Sequence, residues 1–116
     1  WPYRNQFLCT LAGMKCQQVG ASRLLIGALK TDGFHADGRP EFVQQMNRLF
    51  ALQEGELVLE APAHHLSAAE LVVQSGISRD ILAWSHSCHV SEHACGFCRG
   101  CRKHFETMEA VFGEPY

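Results

Sequence analysis

Apolar residues recur along this chain with two different periods, and the alternation between them sketches the fold. Phe7, Leu8, Leu11, Ala12, Met14 and Val19 fall near helical spacing, and Gly20 is a natural stop, so a helix is predicted from Asn5 to Val19. "RLLIGAL", residues 23–29, is a short unbroken apolar run, as expected of a buried parallel strand. "KTDGFHADGR", residues 30–39, reads as a loop from its Gly and Asp content. Pro40 suits the first turn of a helix, and Phe42, Val43, Met46, Leu49 and Phe50 give that helix an apolar face. "ELVLEAP", residues 56–62, reads as a second strand closed by Pro62. Ser67 and Glu70 form a capping box that starts the helix "AAELVVQS", and Ser78 starts the short turn "RDILAW". An irregular cysteine-bearing segment follows. A last amphipathic helix then runs from Arg99 to Val111, with Phe105, Met108 and Val111 inward and Gly113 after it.

Helices alternating with strands predict an α/β fold with a parallel sheet, a partial Rossmann-like arrangement. Two strands are too few to bury such a sheet. The chain also starts at Trp1 rather than Met, so the expectation is a piece of a longer protein. Its 116 residues are read as a single domain, 1–116, with a metal-binding subregion at 84–113.

Composition narrows the class. Hydrophobic residues make up 47% and charged residues 19%, a globular mix, and the formal charge of −2 argues against non-specific nucleic-acid binding. No apolar run approaches the roughly 18 residues of a membrane span. The opening "WPYRNQFLCT" has no signal-peptide pattern. The expectation is a cytoplasmic protein, in which clustered thiols favour metal over disulfide.

"CHVSEHACGFCRGC", residues 88–101, carries that chemistry. Cys88, Cys95, Cys98 and Cys101 have the spacing Cys-x6-Cys-x2-Cys-x2-Cys, with Gly96 and Gly100 allowing tight turns. Four thiolates suit a tetrahedral zinc ion at about 2.3 Å, with no open position, hence a structural zinc. An iron–sulfur cluster also takes four thiolates, but its run continues to a further cysteine where Phe105 stands here. Disulfides are the remaining alternative. His86, His89 and His93 are read as loop residues beside a complete ligand set. Cys9 and Cys16, on one face of the first helix, are read as core.

The order of the motifs adds a resemblance. "WPYRN", "IGALKTDGFHADGRPEFVQQMN", "EAPAHHLSAAELV", "SHSC" and "CGFCRGC" together resemble the second half of the 7-cyano-7-deazaguanine synthase family, within the PP-loop ATP pyrophosphatase superfamily. The resemblance spans nearly the whole chain. It implies an enzyme that uses ATP, with Mg²⁺, to activate the carboxylate of a 7-carboxy-7-deazaguanine. Ammonia then gives the amide, and a second ATP drives dehydration to the nitrile. It also implies one structural zinc. The family's phosphate loop, Ser-Gly-Gly-x-Asp-Ser, has no counterpart here, so the expected parent supplies it in an N-terminal half. Residue by residue, Arg4 and Asn5 match the family's Arg-Asn at the nucleotide and substrate cleft. Asp32 and Asp37 match its acidic loop, and Arg39 and Glu41 match its Arg-Pro-Glu-Phe. Ser87 matches the serine before the first zinc cysteine. Two departures fall on the substrate side. His35-Ala36-Asp37-Gly38 replaces a usual Tyr-Pro-Asp-Cys, and Ser67-Ala68 replaces Thr-Lys. His64 and His65 are read as loop residues.

The expected partners are a small deazapurine, ATP and the other half of the parent; a homodimer is compatible with them. A different class of function is a zinc-stabilised module for nucleic acid or protein, with Arg99, Arg102, Lys103 and His104 as its basic patch. That patch is short, and the sequence offers no aromatic stacking array beside it. A third reading is a structural domain with a degenerate site.

Overall fold

The computed structural model describes residues 2–115, so Trp1 of the "WPYRN" motif lies outside the described residues. The elements in order are α1 (Arg4–Val19), β1 (Arg23–Leu25), two short 3-10 turns (Lys30–Phe34 and Ala36–Gly38), α2 (Pro40–Phe50), β2 (Val58–Glu60), α3 (Ala68–Ser75), α4 (Arg79–Ala83) and α5 (Arg99–Phe112). The chain divides into two compact units, Trp1–Leu66 and Ser67–Tyr116.

In the first unit, β1 and β2 pair in parallel, with Arg23 opposite Val58, Leu24 opposite Leu59 and Leu25 opposite Glu60. The helix α2 joins them, and α1 packs beside β1. The class expected from sequence holds at this level: a parallel two-stranded sheet flanked by helices. Both strands are shorter than the apolar runs at 23–29 and 56–62. One further bond, from the Ile26 amide to the Glu60 carbonyl at 2.9 Å, extends the ladder. Beyond it the Lys30 amide turns to the Leu66 carbonyl at 3.0 Å, so 26–30 leaves the strand path. At the start of β2, Gly55 and Glu56 adopt left-handed backbone, which no strand can continue. Asn47 of α2 closes the outer edge of β2: its side chain donates to the Leu59 carbonyl at 2.8 Å and accepts from the Leu59 amide at 2.7 Å. The edge groups that a short strand exposes are thereby satisfied.

Cys9, Cys16, Met46, Phe50, Leu57 and Leu59 form the core of this unit. Cys9 and Cys16 are core residues, as their position on α1 suggests. The large apolar side chains of the same helix are not. Phe7, Leu8, Leu11, Met14 and Val19 are about half exposed or more, because the face against β1 carries Cys9, Gly13 and Cys16 instead. Leu49 of α2 is likewise exposed, at the edge of the face on which Met46 and Phe50 are buried one turn apart.

In the second unit, Ser67 caps α3 through the expected capping box with Glu70, and Ser78 caps α4. α3 packs on α5. Met108 is fully buried, and Phe105 and Val111 are half-buried beside it. No helix among the described residues is long and apolar enough to cross a membrane.

Candidate functional site

Cys88 and Cys95 arrive on irregular chain, whereas Cys98 and Cys101 sit at the start of α5. Cys98 is the N-cap residue, its sulfur accepting the Cys101 amide at 3.4 Å, and Cys101 lies in the first turn. Gly96 makes the turn between Cys95 and Cys98 with φ 82°. Gly100 is not a turn glycine, as the Cys-x2-Cys spacing suggests; it is helical. It matters for another reason: a Cβ there would fall on the Ser87 carbonyl and lie 2.9 Å from the His89 ring. The Ser87–His89 segment therefore crosses α5 at the one position without a side chain, and this crossing brings Cys88 to the other three sulfurs.

The four sulfurs all lie within 4.8 Å of one another. The Cys95–Cys101 pair is 3.9 Å apart and the Cys88–Cys98 pair 4.0 Å. A disulfide needs about 2.05 Å, and all six cysteines are free. Backbone amides surround the sulfurs. The amide of His89, and then that of Cys101, pull the Cys98 thiol down to about 6. The amides of Val90 and Cys95 lower Cys88 to about 7. Burial pushes Cys101 up to about 11. The amides thus favour the thiolate forms of Cys98 and Cys88, and thiolate is the ligating form. Such a set can hold one metal ion. Ser87 lies against it, lining a groove of about 340 Å³ with His86, His93 and His104.

The remaining residues singled out from sequence lie in the first unit. Arg4, Asn5, Asp32 and Asp37 line one small cleft, of about 120 Å³, where β1 exits toward the 3-10 turns. Arg4, Asp37 and Glu41 also line a larger hollow of about 650 Å³ with Tyr3, His35 and Phe42. Arg39 lines neither. Its Nε donates to the Gly33 carbonyl at 2.9 Å, which folds the guanidinium back on its own loop.

Several of these polar groups have structural duties. No side chain of its own N-terminal segment caps α1. Asp37 does so from the loop: its Oδ2 accepts the Asn5 amide at 3.2 Å, while the Asn5 side chain donates to the Asp37 carbonyl at 2.9 Å. The pair links residues thirty-two positions apart. The carboxylate of Asp32 accepts the Leu29 amide at 2.9 Å and fixes the start of its 3-10 turn. Burial, and then the negative charge of Asp37, raise the Cys9 thiol and keep it a neutral core group. His64, read from sequence only as a loop residue, reaches this loop at Gly38. No pattern of spacing marks it, because its partner is a backbone carbonyl.

The sequence model of the family described as "Queuosine biosynthesis protein QueC" matches residues 1–111. The 7-cyano-7-deazaguanine synthase of Acidobacterium capsulatum is 32% identical over 125 aligned positions, which cover 99% of this chain and 53% of that protein. The enzyme of the same name from Koribacter versatilis is 33% identical, with 99% and 52% covered. The one from Campylobacter fetus is 29% identical over 105 positions, with 87% and 47% covered. The chain thus spans about half the length of the curated relatives it matches. A match that runs from the Arg4–Asn5 helix start through all four clustered thiols means that the chain belongs to the QueC family of queuosine biosynthesis proteins.

Proposed function

We propose that this chain is the metal-binding, substrate-side part of an ATP-dependent 7-cyano-7-deazaguanine synthase, and that its four-thiol centre holds one structural zinc. The observation that carries the zinc is the sulfur spacing. Four sulfurs at about 2.3 Å from one tetrahedral ion stand about 3.8 Å from each other. The pairs at 3.9 Å and 4.0 Å already have that separation. With four protein ligands there is no open position, so the ion's work is to hold the Ser87–Cys88 segment on α5.

The substrate reading rests on the family and on the cleft of Arg4, Asn5, Asp32 and Asp37. Arg4 is exposed at the start of α1 and can pair with a carboxylate or phosphate through two parallel N–H bonds. The helix N-terminus adds a favourable field for that anion. Asp37 can accept from the amino edge of a guanine-like base through the oxygen not taken by Asn5. Glu41 lines the adjacent hollow at the first turn of α2. Arg39, bound to Gly33, needs a rotation to take part. ATP, with Mg²⁺, supplies the activation of the carboxylate in the longer parent, and no residue here is assigned to that step.

Calorimetric titration of the chain with 7-carboxy-7-deazaguanine tests the reading. Binding that is lost on Arg4→Ala and weakened on Asp37→Asn supports it. Absence of binding, or binding indifferent to both changes, removes the cleft assignment. Salt-dependent binding of tRNA in place of the base would favour a nucleic-acid module instead.

A further inference from the structure

His64 lies just beyond β2, within the "EAPAHHLSAAELV" stretch, and spans to the other strand exit. Its Nε2 stands 2.8 Å from the Gly38 carbonyl, in a half-buried setting. A carbonyl oxygen only accepts, so Nε2 carries the proton and donates. The chain at Gly38 has little room to move. A Cβ there would run into the Asp32 carbonyl and come within 3.3 Å of the Asp32 Cβ. The adjoining residue is Asp37, whose carboxylate and carbonyl both meet Asn5 of α1. The stretch 37–38 is therefore held from two sides: by α1 through Asn5, and by the loop after β2 through His64. With His64 removed, the Asn5 contacts, the packing on Asp32 and the Gly38 amide's bond to the His35 carbonyl at 3.0 Å remain, and the tie to the loop after β2 is lost.

The geometry points to His64 as a positioning residue that fixes the Asp37 carboxylate against the start of α1. This rests on the proposed reading of the cleft for its meaning, but not for its test. The imidazole lines neither the cleft nor the hollow. It sets where the Asp37 oxygens lie, and through them how the β1 exit loop and α1 face a ligand.

The test is amide hydrogen exchange on the ¹⁵N-labelled, metal-loaded full chain, comparing the Asn5 amide with that of Met46 in α2. His64→Ala is expected to lower protection at Asn5 about threefold to tenfold relative to Met46, the effect of one net hydrogen bond. His64→Gln, whose side-chain N–H can reach the same carbonyl, is expected to restore it to within about twofold. If alanine does not fold, His64→Phe keeps the ring without the donor and is read the same way. The assignment is overturned if Asn5 is unchanged, if Asn5 and Met46 fall together, or if glutamine gives no rescue. A parallel titration of wild-type chain with 7-carboxy-7-deazaguanine separates the two ideas. Loss of binding there removes the cleft reading, while the exchange result decides His64.

Discussion

Gly100→Ala is a one-methyl change for which two physical effects oppose each other. Within a helix, alanine is favoured over glycine by about 0.8–1.0 kcal/mol, so on propensity alone the variant should be more stable. Gly100 sits in the first turn of α5, where that gain is available. Against it stands the crossing segment. The new methyl would occupy the Ser87 carbonyl and press on the His89 ring at 2.9 Å. To reach an ordinary contact of about 3.5 Å the segment must retreat, by far more than the ~0.2 Å that a metal–sulfur bond tolerates. Cys88 travels with it, adjoining Ser87 in the chain. The clash must win, and its cost falls on metal affinity. Shifts of this kind around a metal site typically weaken binding 10- to 100-fold, and we expect a loss of at least about tenfold. Competition of the zinc-loaded chain against a calibrated chelator measures it directly. Gly113→Ala is the control: with φ 83° and nothing within 4 Å of an added Cβ, it should cost about 1–2 kcal/mol of fold stability and leave metal affinity alone. Equal affinities for Gly100→Ala and wild type would refute the crossing geometry.

Cys98→Ser separates capping from coordination, because a serine hydroxyl can still cap α5. The second unit should nevertheless lose metal and most of its ordered α5, at a cost on the order of 10 kcal/mol, read by circular dichroism with and without zinc. Asp37→Ala removes the carboxylate that caps α1 and should cost the first unit about 1 kcal/mol in urea denaturation. Zinc binding at pH 7.5 should release fewer than four protons, since Cys98, lowered to about 6, is already ionised, and at least one, since Cys101, raised to about 11, is not. Calorimetry in buffers of different ionisation enthalpy gives that number. Affinity should fall as the pH drops through about 7 and then about 6, where protons reclaim Cys88 and Cys98.

α1, α2, α3 and α5 were legible in the sequence, because periodicity and caps are local, whereas α4 read only as a short turn and the 3-10 turns as loop. Ser67–Glu70, Pro40 and the glycines after α1 and α5 mark their ends within a residue or two. The thiol cluster was legible for the same reason, with its cysteines seven, three and three positions apart. Strand lengths were not, because the ladder ends where backbone bonds turn elsewhere, at Lys30 and Leu66, and side-chain pattern carries no sign of that. The exposed row on α1 misleads in the opposite direction: Phe7, Leu11 and Met14 have core character, while the cysteines and Gly13 hold the core. In the cleft, sequence marked Asn5 and Asp37 separately but not their mutual bonds. It missed the roles of His64 and Gly100, since each acts on a distant backbone atom.

The most direct measurement of the central claim is X-ray absorption at the zinc edge on freshly purified chain, together with elemental analysis. One zinc per chain with four sulfur neighbours at about 2.3 Å is the predicted result. Iron in place of zinc, a nitrogen neighbour from one of the nearby histidines, or fresh protein without metal would contradict it.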